Sequence, residues 1–197
     1  DLDVYLAPRE IFAALTGYDI NRGCLAIAER PASADVGEWL GERPDARLLV
    51  GAEGVANPDN LGGLFRNALA FGADALLVGP SCADPLYRKT IRVSMGAALR
   101  VPFVEAARWP QCLEMLAGRG FAVIALTTDP SAVPIEDVAR RPPERFVLVA
   151  GSEGAGLTPA ALAAATLQVR IPMAPGVDSL NVATATGIAL HRLRPEP

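Results

Sequence analysis

The sequence predicts an α/β protein, a mostly parallel β-sheet flanked by helices. Three observations carry that prediction. Seven short runs rich in Val, Ile, Leu and Ala are apolar almost throughout, as strands are when both faces of a sheet are covered. Segments with helical spacing of apolar residues lie between most of them. The two kinds of segment alternate, the pattern of parallel strands joined by crossover helices.

Taken in order, "PREIFAALTGYDINRGCLAIAERP" reads as a short helix, a turn and a first strand, "CLAIAE". The stretch "RPASADVG" follows and places a boundary between Ala32 and Asp45. The chain is accordingly divided into 1–44, a domain remnant with its linker, and 45–197, the main sheet domain. Further strands are expected at "ARLLVGAE", "DALLVGP", "VPFVEA", "FAVIALTT", "RFVLVAGSE" and "LQVRIPM". The clearest helix is "NLGGLFRNALAFG", where Leu61, Leu64, Phe65, Ala68 and Leu69 form one stripe. Asn60 is its expected N-cap and Gly72 its stop. "PQCLEMLAGRG" is a shorter helix closed by Gly118 or Gly120, and Thr158 caps another that has Pro159 in first position.

With 51% hydrophobic residues and a mean hydropathy of +0.26, the 197-residue chain can bury a core and is too apolar to be disordered. No apolar run approaches the roughly 18 residues of a membrane span and no signal segment opens the sequence, so a cytoplasmic protein with no membrane partner is expected. Asp1 in place of Met suits a piece of a longer chain. Cys24, Cys82 and Cys112 are too scattered for a disulfide framework or a zinc site and read as buried free thiols. His191 is the only histidine, which argues against histidine metal sites and a Ser-His triad; near the end of the last helix it suits packing or the helix dipole. A net charge of −4, with Lys89 the only lysine, argues against a simple electrostatic nucleic-acid binder and leaves room for a local arginine patch.

In such folds ligands bind at the carboxyl ends of strands, and three loops there combine glycine with small polar residues. In "GVANPDNLGGLFRNALAFG", Asn60 is either a cap or a site residue, and Gly62 and Gly63 allow close packing. Arg66, off the apolar stripe, is either a solvated charge or placed for a phosphate or an RNA backbone oxygen. In "VAGSEGAGLTP", Gly151, Gly154 and Gly156 make a sharp turn, without the Gly-Lys-Ser/Thr of a phosphate loop. Glu153 stands there as a carboxylate between glycines. In the third loop, Pro172 and Pro175 stiffen the chain and Gly176 lets it turn into "VDSLNVATATGIALHRL". Asp178, Ser179 and Asn181 need partners if buried. Ser179 is either the N-cap of the last helix or a site residue, and Asn181 is a poor interior helix residue.

In this order and spacing the three loops resemble the motifs of the SpoU (TrmH) family of RNA 2′-O-ribose methyltransferases, within the SPOUT class. Asn60, Gly62, Arg66, Ala68 and Phe71-Gly72 match the first motif, and "GSEGAGLT" from Gly151 to Thr158 the second. "IPMAPGVDSLNVATATGIAL" from Ile171 to Leu190, with its Ser179-Leu180-Asn181, matches the third. The match runs from about Leu48 to Leu193; a small departure is Ala183-Thr184-Ala185, where the family often carries Ser-Val-Ala. "GYDINRGCLAIAERP" resembles the tail of the small substrate-binding domain that often precedes this one, most of which would then be missing.

The resemblance implies an α/β sheet with a C-terminal trefoil knot, S-adenosyl-L-methionine held bent within it, no metal, and a homodimer whose active site is completed across the interface. Gly151, Ile171 and Leu180 would hold the cofactor, with Met173, Asn181 and Thr127 nearby. Asn60, Arg66, Glu153, Ser179 and Asn181 would act on a ribose 2′-hydroxyl of tRNA or rRNA. That hydroxyl must lose its proton as the methyl arrives. Arg66 would be either the base or, because guanidinium groups hold their protons tightly, a clamp on the adjacent phosphate that stabilises the developing alkoxide. Asn60 and Glu153 would orient Arg66 and the ribose, and Ser179 and Asn181 would fix the loop at the head of the last helix. RNA affinity in so acidic a chain would come from Arg88, Arg92 and Arg100, from the missing domain or from a partner. Two other readings stand beside this one: a catalytically silent S-adenosylmethionine- and RNA-binding module of the same fold, and an ordinary nucleotide-binding enzyme with convergent glycine loops.

Overall fold

The structure, a computed structural model, describes residues 3–17, 24–30 and 34–194, and these fall in two units, 1–32 and 33–197. In the first, "REIFAALT" forms helix α1 (Arg9–Thr16), closed by Gly17 at φ 73°, whose N–H returns to the Ala13 carbonyl. The turn expected at 18–23 lies outside the described residues. "CLAIAE", expected as a strand, joins no ladder among the described residues. A strand is held by hydrogen bonds to a neighbour, and an apolar run without one does not become a strand.

The second unit opens with helix α2 (Val36–Gly41), N-terminal to the Asp45 boundary drawn from the sequence. Asp35 Oδ1 accepts from the Gly37 N–H at 2.8 Å while Glu38 Oε2 accepts from the Asp35 N–H at 3.3 Å, a reciprocal capping box. Val36, Trp39 and Leu40 are buried in the core beneath the sheet.

The strands are β1 (Leu48–Glu53), β2 (Ala75–Val78), β3 (Phe103–Glu105), β4 (Ala122–Leu126), β5 (Val133–Pro134), β6 (Phe146–Gly151) and β7 (Leu167–Arg170). Helices α3 (Pro58–Ala70), α4 (Arg88–Val93), α5 (Gln111–Gly118), α6 (Ile135–Ala139), α7 (Pro159–Ala164) and α8 (Val182–Leu193) accompany them. The sheet order is β3-β2-β1-β6-β4-β7-β5, with every pairing among the described residues parallel. Successive strand residues point to opposite faces. Leu48, Val50 and Ala52 of β1 and Phe146, Leu148 and Ala150 of β6 pack with α3 and α8, whereas Leu49, Val147 and Val149 pack with α2, α5 and α7. Both faces are covered, which is why these strands read as unbroken apolar runs.

The first turn of α3 differs from the expectation. Its N-cap is Asn57, whose Oδ1 accepts from the Asp59 N–H at 2.9 Å, because Pro58 sits at the first helical position and sets where the helix begins. Asn60 therefore lies inside the first turn, 9% exposed and free of capping. The expected stops hold: Gly72 at φ 72° follows α3 and Gly120 at φ 84° follows α5. Of the three thiols only Cys112 is buried, and Cys82 is half-buried. Burial pushes Cys112 up to about 11 and also raises Cys82, but Cys24 is exposed, contrary to the reading that all three are buried.

From β1 the chain steps outward to β2 and β3, then returns to the other side, where β6 inserts between β1 and β4. The carboxyl ends of β6, β4 and β7 thus stand side by side near the reversal of strand order, where open α/β sheets bind ligands. No helix among the described residues is long and apolar enough to cross a membrane.

Candidate functional site

A cavity of about 440 Å³ opens at those three carboxyl ends. Its wall is built from Leu126, Thr127 and Thr128 after β4, the loop from Gly151 to Leu157 after β6, Ile171 and Met173 after β7, and Asp178 to Leu180 ahead of α8. Thr127, Gly151, Ile171, Met173 and Leu180, the five expected cofactor positions, all line it, as do Glu153 and Ser179.

The β6 loop folds back on itself. The Gly156 N–H donates to the Ser152 carbonyl at 3.1 Å, and Gly154 and Gly156 adopt φ 99° and 70°, conformations that favour glycine. A side chain at Gly151 would collide with the Gly156 backbone, so the turn closes only with glycine at its entry. On the β4 side, Thr127 Oγ1 accepts from the Asp129 N–H at 3.1 Å. Bonds from the Ser131 hydroxyl and N–H hold the Asp129 carboxyl below the usual carboxylate range.

Asn60, Arg66 and Asn181 do not line the cavity. Asn181 nevertheless ties two of the loops together. Its Nδ2 donates to Asn60 Oδ1 at 2.8 Å and to Glu153 Oε1 at 2.6 Å. It is also the N-cap of α8, with Oδ1 accepting from Ala183 and Thr184 N–H at 3.0 and 3.2 Å, so the cap considered for Ser179 belongs to Asn181. Arg66 is exposed on α3, and its side chain makes no hydrogen bond or ion pair among the described residues. Helices α3 and α8 meet closely: Asn67 Nδ2 donates to the Ala183 carbonyl at 2.6 Å, and a Cβ placed on Gly63 would stand 2.5 Å from that of Ala183. His191 packs edge-on against Phe71, ring centroids 6.0 Å apart, as the packing role predicts.

Sequence reasoning missed Glu53, the last residue of β1, which is 4% exposed and bonded to Trp109 and Thr158. A charged residue closing an otherwise apolar strand was its one visible signal. Among the described residues no cluster of His, Cys, Asp and Glu is arranged to hold a metal ion.

The family model for the SpoU rRNA Methylase family matches residues 47–191. The chain belongs to that family. It is 44% identical over 188 residues to an uncharacterized tRNA/rRNA methyltransferase of Mycobacterium bovis, covering 95% of this chain and 64% of that protein. It is 28% identical over 193 residues to the 23S rRNA (guanosine(2553)-2′-O)-methyltransferase RlmP of Bacillus subtilis, covering 98% of this chain and 73% of that one. Among solved structures, the AdoMet-bound rRNA methyltransferase of Sinorhizobium meliloti superposes with a TM-score of 0.70 at 31% identity, over 77% of this chain and 57% of the other. The chain thus spans 64% of the length of its M. bovis relative. The SpoU match takes in all three cavity loops and the Asn60–Asn181–Glu153 network, while α1 and α2 lie before it.

Proposed function

We propose that this SpoU-family chain is an RNA 2′-O-ribose methyltransferase that takes its methyl group from S-adenosyl-L-methionine. The chemistry of the cavity carries the reading: its lining includes the carboxylates of Glu153 and Asp178 and no Lys, Arg or His. Such a wall suits a cationic sulfonium and opposes the phosphates of NAD or ATP. Leu126, Ile171, Met173 and Leu180 offer apolar contact to an adenine ring, with Thr127 and the backbone of the β6 loop to orient it. The AdoMet-bound S. meliloti structure and the B. subtilis 2′-O-methyltransferase support the same donor and acceptor.

The donor supplies a methyl group already activated on sulfur. What remains for the chain is alignment and charge. Asn181 holds Asn60 and Glu153 beside the cavity and leaves Asn60 Nδ2, which has no bond among the described residues, to donate to the ribose. Ser179 lines the cavity with its hydroxyl likewise uncommitted. Arg66 grips the neighbouring phosphate and stabilises the 2′-oxygen as its proton passes to water, the methyl group moving from sulfur to that oxygen and leaving S-adenosylhomocysteine. In an acidic chain, RNA affinity rests on residues 85–104, which hold four basic side chains (Arg88, Lys89, Arg92, Arg100) and no acidic one. Residues 1–32 are the tail of a substrate-binding domain, α2 belongs with the methyltransferase unit, the C-terminal part is knotted, and the enzyme is a cytoplasmic homodimer acting on tRNA or rRNA.

The protein is incubated with methyl-labelled S-adenosylmethionine and bulk RNA, and nucleosides are then analysed for 2′-O-methylation. Label in ribose-methylated nucleosides is the expected result. Tight S-adenosylhomocysteine binding without transfer would make the protein a silent module, and thermal stabilisation by NAD or ATP alone would make it a nucleotide enzyme.

A further inference from the structure

The β6 loop that walls the cavity is gripped at both ends by one residue outside it. In the sheet register Glu53 pairs with Gly151, the first residue of the loop. The Glu53 side chain reaches the other end: Oε2 accepts from the Thr158 N–H at 2.9 Å and Oε1 from the Thr158 hydroxyl at 2.8 Å. Oε1 also accepts from Trp109 Nε1 at 2.9 Å. All three donors are neutral, and no cation pairs with Glu53 among the described residues.

Taking a carboxylate out of water is costly unless it is well bonded. Here three short bonds offset that cost, and they converge on the loop rather than on an ion pair. Because its hydroxyl proton goes to Glu53, Thr158 Oγ1 presents lone pairs to the Ala161 N–H at 3.2 Å and caps α7. Both polar groups of Thr158 are therefore assigned by Glu53. A glutamine could not replace it, since its amide nitrogen is a donor and would face either the Thr158 N–H or the Trp109 Nε1–H.

We propose that Glu53 is a positioning residue for the methyl-donor site, setting the closure of the 151–158 loop over the cavity, with Trp109 as its optical reporter. This rests on the methyltransferase reading above. Glu53 touches neither donor nor RNA; it acts through Gly151 and Thr158.

The test measures S-adenosylhomocysteine binding by calorimetry in the wild type and in Glu53→Gln, together with steady-state kinetics. Loss of a charge-assisted bond network predicts affinity weaker by at least about tenfold, with KM for S-adenosylmethionine raised and kcat at saturation within about threefold. In a Trp39→Phe background, where Trp109 is the remaining tryptophan, S-adenosylhomocysteine is expected to change the emission, and Glu53→Gln to abolish that response. Should Glu53→Gln fail to fold, Thr158→Ser, which keeps the hydroxyl, is expected to retain affinity while Thr158→Val loses it. Unchanged affinity in Glu53→Gln, or equal affinity in the two Thr158 variants, overturns the role of Glu53 alone. A wild type that does not bind S-adenosylhomocysteine overturns the functional reading as well.

Discussion

Asn181 Nδ2 donates to Asn60 Oδ1 at 2.8 Å, joining residues 121 apart in sequence. The same amide reaches Glu153, and the carbonyl end of the side chain caps α8. An asparagine side chain offers two N–H donors and an oxygen with two lone pairs. Asn181 uses all four, so one residue both starts a helix and couples the first and second loops. Those two duties separate chemically.

Asn181→Asp keeps the oxygen that caps α8 but sets a carboxylate against Asn60 Oδ1 and Glu153. Its thermal stability is expected to stay close to wild type while methyl transfer falls on the order of 100-fold, as when one preorganised donor is removed from an active site. Asn181→Ala loses the cap too and is expected to be less stable by about 1 kcal/mol. Unfolding curves and transfer assays on the two variants check this, and full turnover in Asn181→Asp would remove the network from the mechanism.

The network survives only if α3 and α8 stay close. A Cβ at Gly63 would stand 2.5 Å from Ala183 Cβ, both fixed to helix backbones with no flexible end to yield. Gly63→Ala is thus expected to cost about 1–3 kcal/mol by overpacking. By prising Asn60 from Asn181 it should also lower the activity of the molecules that remain folded. Gly118→Ala is the control: nothing lies within 4 Å of its built Cβ, so stability should hold or rise. Urea titrations with activity per folded molecule separate the two cases.

Why some of this was legible in the sequence and some was not follows from length and locality. Strands β1, β2, β4 and β6 announced themselves because burial on both faces forces an apolar run, and the less buried β3 and β7 still carry enough apolar residues to be read. The two-residue β5 and the short helices α4 and α6 repeat no period long enough to read. Asn57 and Asn60 are equally good capping residues, and Pro58 decided between them. Glycines and small polar residues at strand carboxyl ends marked the loops of Gly151, Glu153, Asp178 and Ser179, whereas Thr127, Ile171, Met173 and Leu180 came only through motif resemblance, because nothing in their side chains sets them apart. Glu53 looked like the end of a strand, since its partners Trp109 and Thr158 are remote in sequence.

Arg66 and the acid-free segment belong to one surface. Gly62 faces α4, its built Cβ 3.0 Å from the Thr90 carbonyl, and Arg66 lies one turn further along the same side of α3. Arg92 and Arg100 are exposed and unpaired among the described residues, whereas Lys89 is engaged by Asp59 at 2.6 Å. Arg66→Ala is expected to abolish transfer with S-adenosylhomocysteine affinity unchanged. In Arg92→Ala with Arg100→Ala, the slope of log affinity for RNA against log salt should drop by about 0.7–0.9 for each phosphate that the variant no longer neutralises. Identical slopes in variant and wild type would move the RNA elsewhere.

The last prediction concerns α2 and pH. The Gly37 N–H first, and the Arg108 guanidinium at 3.1 Å second, hold the Asp35 carboxyl below its ordinary value. A folded-state value below the unfolded one means that folding favours the charged form. The stabilisation is therefore full above the unfolded carboxylate value and is lost as pH falls through the depressed one. Asp35→Ala should melt at a lower temperature than wild type near neutral pH, because the cap it removes orders Val36, Trp39 and Leu40 over the core. As pH falls toward and below about 4, wild type should descend to meet the variant. Salt should narrow the gap only in part, since it screens the exposed Arg108 arm and leaves the Gly37 bond in place. A melting difference constant across that acid range would assign the effect to the bulk of the side chain and not to its charge.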